Sequence, residues 1–307
     1  MKKIYSLILL AVVALCAMPQ SASLYAQEHE DGFDRNRKFE LYVGDITYTP
    51  KSKETTTGSK VLDVIAAVAT GEFTENYDSY ADAVKANIVK GLSWAFRFKV
   101  MDRQFDPESD KMDYALFIDG TISRITTTTR VFTEEVKQKD GTKKSVSKEK
   151  YQAVIMLTLN LKDLAHGTII NSNTFRIESN EYSSSWFLSR QAALDKAIEY
   201  VANYVTRYYD DVYPLTADII ELGTDKNDKQ KEVYIDLGSK HGVYEGLTFG
   251  VYKLKTIAGR DARTYLGRLK VKKVEGPEVS FCKVVSGGKD IKKCLDDNDT
   301  LLIISRH

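Results

Sequence analysis

Histidine, proline and cysteine are scarce in this sequence: four, five and three residues in 307. The histidines, His29, His166, His241 and His307, stand far apart. Zinc sites draw several His or Cys ligands together at short, characteristic spacings, so no metal centre is expected. Net charge is also lacking, because 44 basic residues face 43 acidic ones. Without a cationic excess or a concentrated basic face, a nucleic-acid partner is excluded. No long apolar run follows the first one, so no spanning helix is expected beyond it.

Catalytic motifs are missing as well. Gly58-Ser59-Lys60 lacks the upstream glycine and the Gly-Lys-Ser/Thr order of a phosphate loop. There is no Gly-x-Ser-x-Gly elbow and no Gly-x-Gly-x-x-Gly after a strand. Asp296-Asp297-Asn298-Asp299 lacks the glycine and distal glutamate of a calcium loop and reads as a solvated turn. The reading is therefore of a protein that is not an enzyme, with no catalytic residues and no cofactor.

What is present begins with an export signal. Lys2 and Lys3 precede a hydrophobic run from Ile4 to Ala17, and small and polar residues follow. Cleavage after Ala26 is expected, making 1–26 a signal peptide and 27–37 a polar, flexible leader. Cys16 lies behind Leu15 rather than a small residue and is read as part of the discarded segment rather than a lipid attachment point. Its removal leaves Cys282 and Cys294 as a disulfide candidate in an oxidising compartment, with two separate buried thiols as the alternative.

Periodicity then sets the fold class. Phe39 to Tyr48 alternates like a strand, and a helix capped by Asp78 or Ser79 carries Val84, Ile88, Leu92 and Ala95 on one face. Val61 to Ala69 is short and apolar and is assigned to the core. Phe96 to Asp102 reads as a strand. Tyr114 to Thr129 and Tyr151 to Leu161 are β-prone runs separated by Asp140-Gly141, which predicts a long hairpin with a lysine-rich tip. That tip is read as solvated in preference to touching anionic lipid or glycan. A further strand over Thr168 to Glu178 and a helix from Ser189 to Tyr209 complete an α+β region. Its sheet is expected to be mixed and antiparallel-rich with helices packed on it, since the middle connections are too short for crossovers.

After Leu215 the strand candidates are short and divided by Gly, Asp and Lys turns, without a helical period, which predicts a small all-β barrel or sandwich domain. Gly238, Gly242 and Gly246 are read as turn residues with left-handed backbone rather than as ligand contacts. Trp186, Tyr208, Tyr209 and Tyr213 form a candidate interaction surface, with packing at the junction of the two regions as the plainer assignment.

Residues 38–215 resemble the α/β domain shared by the CsgG, LpoB and TolB N-terminal families. The resemblance rests on Val43-Gly44-Asp45-Ile46, on Phe98-Lys99-Val100-Met101-Asp102-Arg103, on the strand Asp113 to Gly120, and on the final amphipathic helix. Residues 218–307 resemble the C-terminal small β domain of FlgT, through Ile235-Asp236-Leu237-Gly238, Gly242 to Gly246, Phe249-Gly250-Val251-Tyr252 and Leu266 to Val271. The resemblance implies a non-catalytic envelope protein, periplasmic or outer-membrane-associated, that acts as an assembly or regulatory adaptor on other envelope proteins. Peripheral outer-membrane association and homo-oligomerisation remain open. The alternatives are a CsgG-like oligomeric outer-membrane secretion component and a carbohydrate-binding envelope protein. The hairpin lacks the alternating apolar band of a lipid-facing strand, which speaks against a pore.

Overall fold

Two β-sheets, one open and one nearly closed, organise the computed structural model, which describes residues 36–49, 72–73, 78–106, 115–139, 141–182, 185–257 and 260–306. The segment expected to be a signal peptide, most of the expected leader, Cys16, Val61 to Ala69 and Asp140 lie outside the described residues.

The first sheet is mixed. Strand β1 (Phe39–Tyr48) runs parallel to β3 (Phe98–Met101) on one side and to β4 (Ala115–Lys137) on the other. β4, β5 (Lys143–Asp163) and β6 (Thr168–Glu178) then follow as antiparallel neighbours, and β2 (Glu72–Phe73) pairs with Thr127 and Thr128 of β4. The strand order is β3-β1-β4-β5-β6. The β1–β3 pair is parallel because helix α1 (Asp78–Trp94) carries the chain back between the two strands.

Alternation decides which face is covered. Ile118, Ile122, Ile155, Leu157, Leu159 and Ile177 are buried, and they meet Val84, Ile88 and Leu92 of α1 and Leu194, Ile198, Val201 and Val205 of helix α2 (Arg190–Val212) in one core. Each such side chain contributes about 1.5–3 kcal/mol when fully withdrawn from water. Ser189 caps α2, its hydroxyl accepting from the Ala192 N–H at 3.1 Å. The two helices touch at Gly91, where a Cβ would lie 2.5 Å from the Ala202 carbonyl oxygen. The Thr206 hydroxyl, 2.8 Å from both, binds at the Gly91 and Ala202 carbonyls across that contact.

The second sheet is antiparallel, in the order β7-β13-β10-β11-β12-β9-β8. Its members are β7 (Thr216–Ala217), β8 (Ile219–Leu222), β9 (Glu232–Ile235), β10 (Thr248–Ile257), β11 (Arg260–Val274), β12 (Ser280–Ser286) and β13 (Leu301–Arg306). The two end strands, β7 and β8, are consecutive in the chain and separated only by Asp218. A single segment thus pairs with β13 at its start and with β9 at its end, which brings the sheet close to a closed barrel. Val233, Ile235, Phe249, Val251, Leu269, Val271, Cys282 and Ile303 fill the interior.

Three expectations need correction here. A helix, α3 (Gly288–Asp296), stands where only strands were anticipated, and it buries Ile291 and Cys294. Gly242 and Gly246 do take positive φ, +83° and +99°, but Gly238 has φ −146°. Its role is close approach: a Cβ there would lie 2.2 Å from the Gly276 carbonyl oxygen. Cys282 and Cys294 are both free and buried, so the expected disulfide is not formed in this structure.

Candidate functional site

Residues Lys38–His307 form one compact unit, and the joint between the two sheets is built from two short stretches. Phe96, just before β3, belongs to the barrel core, while Leu215, just after α2, sits beside it. The Phe96 N–H donates to the buried Asp210 carboxylate of α2 at 2.7 Å, and the Leu215 N–H donates to the Ser305 hydroxyl of β13 at 2.9 Å. Arg97 is buried at the same place, with its guanidinium over the Phe39 ring.

The four aromatic residues singled out in the sequence do not form one patch. Tyr209 and Tyr213 are buried with Phe98 and Phe39, the Tyr209 and Tyr213 rings stacked at 6.5 Å. Burial pushes the Tyr209 phenol well above its ordinary range. Tyr208 is half-buried, edge-on to Phe175 of β6, and its hydroxyl meets the Asn171 side chain. These three run from surface to core at the C-terminal end of α2. Trp186 lies apart from them, against Phe132 at 5.6 Å and beneath the Arg130 guanidinium at 4.8 Å.

Trp186 has a mechanical role in that position. The neighbouring Phe187 exchanges two backbone hydrogen bonds with Tyr151, at 2.7 and 2.9 Å. Together they staple the base of a long ribbon. β4 and β5 remain paired from Leu116–Asp163 out to Lys137–Lys143, whereas β6 pairs no further than Val154 and β2 no further than Thr128. Beyond Thr129 and Tyr151 the hairpin is therefore a two-stranded arm among the described residues, roughly 25 Å long at the usual rise per residue. Its turn has Gly141 at φ +86°.

The charges on this arm are unevenly distributed. Along the shaft Glu134 accepts from Lys150 at 2.7 Å and from Lys148 at 3.1 Å, and Lys150 also lies over the Phe132 ring. Hydrogen bonds from these two lysines hold the Glu134 carboxyl below the usual carboxylate range. At the tip Lys137 is paired directly with Lys143, and only Lys143 has an anionic partner among the described residues, Glu135 at 2.8 Å.

A second surface escaped the sequence reading. Tyr200, Tyr204 and Tyr208 recur every fourth residue along α2, and the exposed Tyr182 lies edge-on to Tyr200 at 4.9 Å and to Tyr204 at 6.2 Å. The spacing was visible in the sequence; the covering residue, on a turn after β6, was not. Burial and then a hydrogen bond to Glu181 raise the Tyr204 phenol above its ordinary value. Beside this tyrosine row runs β6, the last strand of its sheet among the described residues, eleven residues without proline or lysine. Its two charged residues, Arg176 and Glu178, pair with each other at 2.7 Å.

In the barrel, ionisable groups serve as ties. Lys253 of β10 pairs with Asp299 before β13, and the Lys253 ammonium lowers the Asp299 carboxyl. Burial raises the Cys294 thiol, reinforced by its hydrogen bond to Asp299, and burial alone pushes the Cys282 thiol up to about 12. Neither is poised as a thiolate nucleophile. Lys292 of α3 binds Asp225 at 2.7 Å. His241 is buried and accepts from the Gly238 N–H at 3.3 Å through Nδ1. Among the described residues no group of three or more His, Cys, Asp or Glu is placed to hold a metal ion.

No family model matches the sequence, and no curated protein matches it. Among the solved structures that are similar over part of the chain are two from bacteria. One is a neuraminyllactose-binding hemagglutinin homolog from Helicobacter pylori, at 15% identity and TM-score 0.27, covering 58% of this chain and 91% of the other. The other is a dodecameric PelC variant from Paraburkholderia phytofirmans, at 14% identity and TM-score 0.21, covering 56% and 86%. Likenesses this distant carry no argument about function.

Proposed function

We propose that this is an exported cell-envelope protein, without a catalytic role, that works as an assembly or regulatory adaptor through contacts with other envelope proteins. The observation that carries the reading is the surface formed by the outer strand β6 and the tyrosine row of α2. A strand edge that lacks the usual lysine and proline, and whose one register shift falls near its start between Ile169 and Asn171, leaves the rest of its length as a template on which another chain can add as a strand. Tyr182 and Tyr204 beside it supply large, rigid, amphipathic rings of the kind enriched at protein interfaces.

The sequence resemblance is proposed in the same terms, with 38–215 as the CsgG/LpoB-like region and 218–307 as a small FlgT-like barrel domain. A mixed sheet bearing two helices, followed by a nearly closed antiparallel sheet, supports that division. The secretion-channel alternative is disfavoured by the arm. Its two faces carry Arg130, Glu134, Lys148 and Lys150 on one side and Glu135, Lys137, Lys143 and Glu149 on the other, and neither is an apolar face for lipid.

The test is site-specific photocrosslinking in intact cells. A photoreactive residue in place of Tyr182 is expected to capture one discrete envelope protein, and the same group in place of the exposed Lys226 is expected to capture none. Equal, diffuse capture at both positions would refute the docking surface. Turnover of a glycan, peptide or phosphoester by the purified protein near the 1 s⁻¹ or more usual for enzymes would refute the non-catalytic assignment.

A further inference from the structure

We infer that the tip of the β4–β5 arm is a docking point for the surface of an anionic lipid bilayer. The shaft of the arm neutralises itself: Glu134 takes Lys148 and Lys150, and Arg130 lies on Trp186. The tip does not. Residues 137–144 contain Lys137, Lys139, Lys143 and Lys144 against the single acid Asp140. Of these lysines only Lys143 has an ion pair among the described residues.

The register makes that distribution costly for the free arm. Lys137 lies directly opposite Lys143 in the last pair of the ladder, and like charges in that relation destabilise a hairpin. A two-stranded ribbon in water is marginal to begin with. A positive end maintained on such a ribbon is accounted for by an anionic partner that offsets the repulsion.

Geometry selects the kind of partner. Lys137 and Lys143 share one face of the ribbon, Lys144 lies on the other with Val136, and Lys139 is in the turn between them. The cations are thus spread over both faces and the turn of a two-stranded end. A linear polyanion follows a groove and would meet only one face. A flat, dense layer of phosphate headgroups meets all four at once, and lysine ammonium groups suit such diffuse contact better than the bidentate recognition typical of arginine. Val136, 43% exposed, adds a shallow apolar contact beside the charges.

The experiment is co-sedimentation of the purified protein with vesicles at low and physiological salt. Vesicles of phosphatidylcholine mixed with phosphatidylglycerol are expected to bind it, and those of phosphatidylcholine alone are not. Each lysine near an anionic surface is worth roughly a fivefold change in partitioning, so the triple variant Lys137→Gln, Lys139→Gln, Lys144→Gln should lose about 100-fold. A control of equal charge, Lys226→Gln, Lys229→Gln, Lys289→Gln, should bind like the parent. The tip variant should unfold at the same temperature or higher, since it removes the Lys137–Lys143 opposition. Equal binding by the tip variant, equal binding to neutral vesicles, no binding at low salt, or retention on heparin without vesicle binding would each overturn the inference. The readout is separate from partner capture at Tyr182, so either idea can fail alone.

Discussion

The two sheets manage their edges in opposite ways. The barrel draws β7 and β8 from one continuous segment, so the strands that would have been its edges are stitched to β13 and β9. The mixed sheet ends at β6 on one side and extends β4 and β5 far past their neighbours. A closed sheet satisfies its backbone groups internally and offers side chains; an open one offers backbone as well. On the function proposed above, the barrel serves as the rigid body and the mixed sheet as the part that engages partners.

The comparison is broken most directly by emptying the barrel. Phe249 is fully buried on β10, and Phe249→Ala is expected to cost about 4 kcal/mol in urea unfolding. Because Phe96 belongs to the barrel core, that loss should appear in probes on both sheets as one transition. Two separated transitions would show that the sheets are independent domains rather than one cooperative unit.

The joint itself comes next. Asp210→Ala leaves the buried Phe96 N–H without its carboxylate acceptor, at an expected cost of about 2–3 kcal/mol. Its diagnostic outcome is loss of coincidence: near-UV signals from the Tyr209 and Tyr213 cluster should melt before those of the barrel. Coincident melting at unchanged stability would mean that this hydrogen bond does not couple them. Smaller again is Gly238→Ala, at about 2 kcal/mol. The added methyl meets the Gly276 and Pro277 backbone, which cannot yield as a side chain would. Loss should be confined to the barrel; a neutral result would show that the Gly276 turn is free to shift.

The strands and the two long helices were legible because their periods are regular and their ends punctuated. β1 begins and ends where alternation does, and α2 starts one residue after the serine that caps it. What escaped was nonlocal or too short to carry a period. α3 has only nine residues, and its signal, Ile291, Cys294 and Leu295 at helical spacing, is interrupted by lysines and framed by β-prone segments. The tyrosines near residue 210 were identified as aromatic and amphipathic, but which would be buried depended on Phe98 and Phe39 arriving from distant strands. The thiols follow the same logic. Spacing permits a bridge between Cys282 and Cys294, yet whether they meet is decided by the placement of β12 and α3, and here both are free thiols. The strand-edge surface was least legible of all, because an edge is defined by which strand has no neighbour.

The smallest expected effect sharpens the contrast at the arm. Glu134 is held below the usual carboxylate range by hydrogen bonds from Lys150 and then Lys148. A carboxyl whose folded value is depressed contributes stability above its unfolded value and loses that contribution as pH falls through the folded one. Acidification through and below the ordinary carboxylate range should therefore loosen the shaft, while the Phe132–Trp186 contact at its base persists. Amide hydrogen exchange, corrected for its intrinsic pH dependence, should show protection falling across residues 131–136 and 144–149 with the barrel strands unchanged. Glu134→Gln should give the same loosened arm at neutral pH and remove its pH dependence. If the arm amides of that variant are as protected as those of the parent, the shaft is held by its backbone ladder alone, and its charges matter only for what they present to a partner.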